Sequence, residues 1–402
     1  MQLFNSLARS KEPFILPRDR PLTLYVCGVT PYDTTHIGHA RTFLVFDLLV
    51  RYLRFQGAEV RYCQNVTDVD DPLFARARRD GLDWRELSNQ QVAQLLEDYR
   101  ALNFLPPTYF PRASEEIEAM LPMIERLIEL GHAYVVGSEV YFSIRTDPDF
   151  GTMARMGYDE LLATANQRGN NPLDPNKRDP LDFVLWQTGG PDDPKWASSW
   201  GLGRPGWHIE CSAMAMRYLG EQIDIHGGGA DLIFPHHPCE IAQSEPVTGK
   251  RPFVKVWMHA GLVWLGGEKM SKSLGNLVFA RDALRDYGAN AVRWYLLTQH
   301  YREDFDYHNE GLAHCHELVQ HLDAALVAQG GTTSPLDLSV GYAECLSAMA
   351  DDLNTPAALA VLHTMVGETL AAAAAGRDVT PAIALVRELA EMLGFQTVSG
   401  GG

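Results

Sequence analysis

Short apolar runs alternate with longer stretches of helical periodicity along the first part of the chain. "LTLYVCG" (22–28) is a continuous apolar run of strand length. In "GHARTFLVFDLLVRYLRFQG" (38–57) apolar residues recur at helical spacing and stop at Gly57. "AEVRYCQNVTDVDD" (58–71) returns to strand texture and runs out into an acidic loop. Strand, helix and strand in succession predict a βαβ unit with a right-handed crossover, whose ligands gather beyond the carboxyl ends of the strands. Residues 80–135 predict helices, with Ser114 as cap, a glutamate-rich first turn and a glycine stop in "SEEIEAMLPMIERLIELGHAY". Proline, glycine, aspartate and asparagine crowd together between 147 and 180, as in "QRGNNPLDPNKRDP", and predict a surface insertion. Strand and helix texture returns in "LDFVLW" and "WHIECSAMAMRYLG", and "EQIDIHGGG" predicts a strand ending in three glycines. From about 281 the pattern is helical, includes the alanine-rich "TLAAAAAG", and predicts a separate small bundle. No internal repeat interrupts this order.

Composition narrows the partners and the compartment. A chain of 402 residues suits two to three domains with a sizeable core. Its formal charge of −17 recruits no polyanion in bulk, so a nucleic-acid partner requires a local site. The N-terminus "MQLFNSLARSKEPF" lacks the apolar core of a signal peptide, and no run of about 18 apolar residues suggests a membrane span. The expectation is a soluble cytoplasmic protein with no membrane partner. Six scattered cysteines (27, 63, 211, 239, 315 and 345) fit free thiols or metal ligands better than a disulfide framework.

Cys27, His36, His39 and Thr67 all fall at the predicted strand edge. His36 and His39 are three apart, so both rings can project from the first turn of a helix that starts near Gly38. Exposed N–H groups and the helix dipole favour an anion such as a triphosphate there, and Gly38 lets a nucleotide approach the backbone. Two ordinary solvated histidines at a helix start remain the plain alternative for the tetrad alone. Far downstream, "GEKMSKSLGN" (267–276) sets Lys269 and Lys272 three apart in a polar loop. Histidine donors and two cations together can cradle a triphosphate and offset the charge that develops at the α-phosphorus during in-line attack.

The two signals together resemble the class I aminoacyl-tRNA synthetases, whose HIGH and KMSKS signatures match His36-Ile37-Gly38-His39 and Lys269-Met270-Ser271-Lys272-Ser273 residue for residue. The resemblance runs from about residue 20 to about 395. It implies an α/β fold: a class I synthetase-type Rossmann (HUP-like) catalytic domain with an inserted connective segment and a C-terminal α-helical bundle. The expected divisions are 1–280 for the catalytic domain with its insertion around 80–180, 281–395 for the stem-contact region and bundle, and a flexible tail at 396–402. His36, His39, Lys269 and Lys272 would be catalytic, and Gly38, Gly227, Gly228, Gly229, Met270, Ser271 and Ser273 would complete the ATP site.

Within that class the surroundings of Cys27 and Cys211 resemble the cysteine-activating branch. The resemblance implies one zinc ion per chain, held by Cys27, Cys211, His236 and Glu240, that takes the substrate thiol as thiolate in preference to a serine hydroxyl. Cys239, three residues after His236, could compete with Glu240 as a ligand. Cys63, Cys315 and Cys345 read as small core hydrophobes. Trp207 and His208 would wall the cysteine pocket, Gly28, Thr30 and Thr67 would hold the amino acid, and Asp231 in "HGGGADL" would take its amine. Mg2+ would accompany ATP.

The acceptor is the open step. The chain ends at "ELAEMLGFQTVSGGG", about where cysteinyl-tRNA synthetases begin an anticodon-binding domain. "CGVTPYDTTHIGHA", "DDPLF" and the 147–180 insertion resemble the mycothiol-pathway cysteine ligases. The expectation is therefore that ATP activates L-cysteine as cysteinyl adenylate for ligation to the amine of glucosaminyl-inositol, 1D-myo-inositol 2-amino-2-deoxy-α-D-glucopyranoside. The alternative is a short cysteine--tRNA ligase acting on tRNA(Cys), which "PGWHIECSAMA", "EIAQSE" and "ALNFLPP" fit as well or better. A base for the acceptor could come from Asp68, Asp70 or Asp71 in "TDVDD", which could equally be a structural acidic loop.

Overall fold

A computed structural model describes residues 1–33, 35–270 and 274–397. Its centre is a four-stranded parallel sheet in the order Val254–Ala260, Ile223–Gly229, Leu22–Val29, Val60–Val66. The Leu22–Val29 strand is central and almost wholly buried, which is why it reads as one apolar run without alternation. The chain steps from this strand to Val60–Val66 on one side and later enters Ile223–Gly229 on the other, so the strand order reverses between the two central strands. A crevice must open there, beyond their carboxyl ends.

Helix Ile37–Phe55 makes the first crossover, and its apolar face packs on the sheet. Two glycines are dictated by close approach, one to this helix and one to the neighbouring strand. A Cβ on Gly227 would lie 2.1 Å from the Phe46 ring, and one on Gly28 would lie 1.6 Å from the Asn65 carbonyl oxygen. The second strand ends at Val66, and the acidic loop is short: helix Asp71–Asp80 follows at once, with Pro72 in its first turn and Gly81 closing it at φ 67°. Ser114 is not the cap of the following long helix, which runs Ile117–Glu129 from Glu116. Its hydroxyl and amide instead donate to Asp68 at 2.7 and 2.8 Å.

The insertion contains an antiparallel sheet in the order Ala133–Val136, Glu139–Phe142, Phe183–Gln187, Gly201–Pro205, Trp196–Ser198. The 147–180 segment leaves this sheet, forms helix Tyr158–Asn166 and returns through turns. Helix Trp207–Leu219 then carries the chain back to the parallel sheet.

Four helices, Asn309–Leu326, Ser339–Ala350, Thr355–Ala374 and Thr380–Met392, form the C-terminal bundle. Thr355–Ala374 is long and apolar enough to cross a membrane by composition, a run the sequence reading passed over; here it packs against the bundle's other helices. A buried ion pair joins helix Ala289–Leu296, which leads into the bundle, to the crossover helix. Arg293, fully buried, donates to Asp47 at 2.7 Å and to the carbonyls of Leu102 and Leu393 at 3.0 and 2.9 Å. Asp47 sits on the crossover helix and also accepts from Leu105 N at 2.7 Å. Arg293→Met leaves Asp47 paired with Arg51 at 3.0 Å and with the Leu105 amide but strips the Leu102 and Leu393 carbonyls of their buried donor, and it is expected to destabilise the chain by about 1–3 kcal/mol. Urea unfolding followed by circular dichroism checks this; an unchanged midpoint for the variant would contradict it.

Candidate functional site

The crevice is a cavity of about 390 Å³. Of the residues expected at a site, Cys27, Gly28, Thr30, His36, Gly38, His39, Trp207, Gly229, Asp231, Lys269 and Met270 line it. His36 is the N-cap of helix Ile37–Phe55: its Nδ1 accepts from the His39 amide at 3.3 Å. The two rings stack with centroids 3.7 Å apart, so both histidines stand at the positive end of the helix dipole. Lys269 reaches the same cavity from the short strand Glu268–Lys269, with its Nζ 3.3 Å from Asp231 Oδ2. Lys272, Ser271 and Ser273 lie outside the described residues.

Beneath the floor, four buried side chains from three elements converge. Cys27 comes from the central strand, Cys211 from helix Trp207–Leu219, and His236 and Glu240 from successive turns of helix His236–Thr248. Cys27 Sγ lies 3.8 Å from Cys211 Sγ and 3.7 Å from Glu240 Oε1, and Glu240 Oε1 lies 3.2 Å from His236 Nε2. A tetrahedral zinc with ordinary bond lengths needs edges of about 3.8 Å between two sulfurs, about 3.6 Å between sulfur and oxygen, and about 3.3 Å between nitrogen and oxygen. The measured separations fit. His236 Nε2 is buried, has no hydrogen-bond partner and points into this group. Burial, then Cys211 and Glu240, push the Cys27 thiol well above its ordinary range; burial also raises Glu240 and lowers His236 well below the usual imidazole value. Burial thus disfavours the charged forms of Cys27, Glu240 and His236, and a cation among them would reverse that balance for the thiol and the carboxyl, which makes the group a candidate metal centre.

Several residues fall elsewhere than the sequence reading put them. His208 is not in the pocket wall: it is half-buried behind His236, with Nδ1 2.9 Å from the Nδ1 of that ring, where it can fix the tautomer that leaves Nε2 free. Trp207 alone faces the cavity and stacks on His236 at 4.4 Å. Thr67 is buried, accepts from Asn65 Nδ2 at 3.1 Å and is tied to the Val29 carbonyl, so it braces the two strands. Gly227 and Gly228 leave room for Phe46 and Leu232 and do not line the cavity. Cys239 is buried outside the converging group. Asp68 is occupied by Ser114, and Asp71 pairs with Arg204. Asp70 accepts from Thr30 Oγ1 at 2.8 Å at the rim, and burial lifts its pKa to about 6.

The reading missed three histidines around the quartet. His226 Nε2 lies 2.9 Å from Glu240 Oε2 and can hold the carboxylate with Oε1 turned to the thiols. His237 Nε2 lies 3.6 Å from Cys27 Sγ, and its Nδ1 lies 2.7 Å from His259, which in turn meets Ser6 at 2.7 Å. Cys27, His226, His237 and Glu240 form a second possible metal group overlapping the first. The doubled histidine in "FPHHPCE" and the histidine before "GGG" were the available signals.

A family profile described as "tRNA synthetases class I (C) catalytic domain" matches residues 15–317, and one described as "DALR domain" matches 346–397. A protein of Legionella pneumophila (strain Paris) named Cysteine--tRNA ligase is 44% identical over 398 residues, covering 98% of this chain and 85% of the relative. Its namesake from Escherichia coli O127:H6 is 44% identical over 369 residues, covering 92% and 79%. Mycobacterium tuberculosis methionyl-tRNA synthetase in complex with methionyl-adenylate shares the fold at a TM-score of 0.64 and 17% identity, covering 93% of this chain and 89% of that one. These relatives overturn the expected assignment to the mycothiol-pathway ligases, and with it glucosaminyl-inositol as acceptor. The DALR match falls on the C-terminal bundle, almost wholly within the 281–395 region expected to be helical. The chain belongs to the class I tRNA synthetases of the cysteine branch, ATP-dependent ligases that form an aminoacyl adenylate.

Proposed function

We propose that the chain is a cysteine--tRNA ligase that activates L-cysteine with Mg·ATP and transfers it to tRNA(Cys) in the cytoplasm, where its six free cysteines stay reduced. One observation carries the reading: Cys27 belongs both to the metal quartet and to the wall of the cavity that holds His36, His39 and Lys269. Selection of a thiol and activation of a carboxylate then meet in one pocket. Zinc held by Cys27, Cys211, His236 and Glu240 would supply a soft Lewis acid that prefers the thiolate of cysteine to the hydroxyl of serine.

The chain's own groups do the rest. Trp207 covers the side-chain pocket, and Asp231 takes the ammonium of the amino acid. The cysteine carboxylate attacks the α-phosphorus of ATP, the bond to the β-phosphate bridging oxygen breaks, and pyrophosphate leaves. His36 and His39 at the helix end, with Lys269 and Lys272, bind the triphosphate and offset the charge that builds on it in the transition state. A terminal ribose hydroxyl of the tRNA then attacks the adenylate carbonyl and expels AMP.

Purified protein with zinc, Mg·ATP and cysteine is expected to form cysteinyl-tRNA and release AMP in step with added tRNA(Cys); the sugar amine should not substitute. Turnover that ignores the tRNA would overturn the acceptor. Loss of one electrostatic donor typically costs about 2–4 kcal/mol of transition-state stabilisation, so His39→Ala is expected to slow cysteine-dependent ATP–pyrophosphate exchange by about 30- to 1000-fold. Exchange at the wild-type rate in this variant would remove His39 from the site. Elemental analysis should find one zinc per folded chain, and Cys211→Ser should lower that content while far-UV circular dichroism stays native; full zinc retention in the variant would move the metal to the overlapping group of His226 and His237.

A further inference from the structure

Two oppositely charged groups in the cavity are assigned to two different substrates, yet they lie within reach of each other. Lys269 Nζ lies 3.3 Å from Asp231 Oδ2, and each side chain is a little over one-third exposed, at 38% and 39%. Both face the cavity. Asp231 is held in place from behind: its backbone oxygen accepts from Arg168 Nη1, and its Oδ1 sits where a Cβ on Gly229 would come within 2.5 Å. The carboxylate therefore folds back over a glycine with one oxygen left for a cation in the pocket. Lys269 is anchored through its main chain, where its carbonyl accepts from Asn276 Nδ2 at 3.1 Å and the next residue, Met270, donates to the Val263 carbonyl at 2.8 Å. Its backbone is fixed while its ammonium swings on a four-carbon stem.

We propose that this ion pair couples the two substrates: the ammonium of cysteine takes Asp231, and the Lys269 it releases turns to the triphosphate. The inference rests on the ligase reading above and adds an order of events to it. Without cysteine, ATP must draw Lys269 away from a carboxylate, and the nucleotide meets an uncompensated negative charge on Asp231. With cysteine bound, both costs vanish. Linkage then requires ATP to tighten cysteine by the same factor that cysteine tightens ATP. A partly exposed ion pair limits that factor to about fivefold.

The test is calorimetric titration of the full-length, zinc-loaded protein with Mg2+ and an ATP analogue whose α,β-bridging oxygen is replaced by methylene, which cannot react. Saturating cysteine is expected to tighten the analogue about fivefold, whereas 3-mercaptopropionate, which has thiol and carboxylate but no amine, should not. Asp231→Asn should bind the analogue about fivefold more tightly without cysteine, and cysteine should add nothing further. Lys269→Gln should bind it weakly and keep only the part of the response that comes from neutralising Asp231. Equal analogue affinity with and without cysteine in the wild type, or coupling that survives Asp231→Asn, would overturn the proposal. Cysteine-dependent ATP–pyrophosphate exchange by the wild type, run beside the titration, separates the two failures: exchange without coupling removes only this inference, and absence of exchange removes the ligase reading itself.

Discussion

A parallel sheet buried on both faces offers a ligand only its strand ends, and reversing the strand order between two neighbours opens those ends in one place. Here the reversal lies between Leu22–Val29 and Ile223–Gly229. Cys27 and Thr30 follow from the first of these strands, His36 and His39 from the crossover helix that starts beside it, and Gly229 and Asp231 from the second. Residues about 200 positions apart in sequence therefore face one another because two strands are neighbours. The short approaches at Gly28 and Gly227 hold each of these strands close to its other neighbour, strand Val60–Val66 through Asn65 and the crossover helix through Phe46, where a side chain would collide.

The candidate metal quartet is a consequence of the same placement taken one layer deeper. Helices Trp207–Leu219 and His236–Thr248 pack against each other and bring Cys211, His236 and Glu240 below the end of the central strand. Buried thiols, a carboxylic acid and an imidazole with an unpartnered nitrogen make a poor core by themselves, because each polar group loses water without a full set of protein partners. Partners just outside the quartet supply direction: His208 behind His236, and His226 behind Glu240. The outer ring thus aims donor atoms at a common point, as metal sites require.

Much of this was legible in the chain. The first strand, the crossover helix and the glycine-ended third strand are long, strongly patterned segments, and the structure finds them within a residue or two of the expected limits. The cap at Ser114 failed because a tertiary partner, Asp68, outbid the local helix for its hydroxyl. His208 was misplaced because the sequence puts it next to Trp207, whereas neighbouring residues on a helix point about 100° apart, so only one of the pair can face the cavity. His226 and His237 escaped because their partners, Glu240 and Cys27, come from other elements, and no local spacing announces such contacts.

The error over the acceptor has a different origin. In the proposed reading the HIGH and KMSKS segments, the quartet and the Trp207 pocket serve formation of the adenylate, which any enzyme that begins by activating cysteine shares. They carry no information about what attacks the carbonyl afterwards. A net charge of −17 was no guide either, since a polyanion answers to the charges within about one Debye length of its path, roughly 8–10 Å, and not to the sum over the chain. The informative segment was the helical one at 346–397, where a helical pattern reads as generic packing and only comparison distinguishes a DALR domain from any other bundle. Chemistry concentrated at strand ends can be read residue by residue; recognition of a large partner, spread over helical surfaces, leaves no comparably local trace.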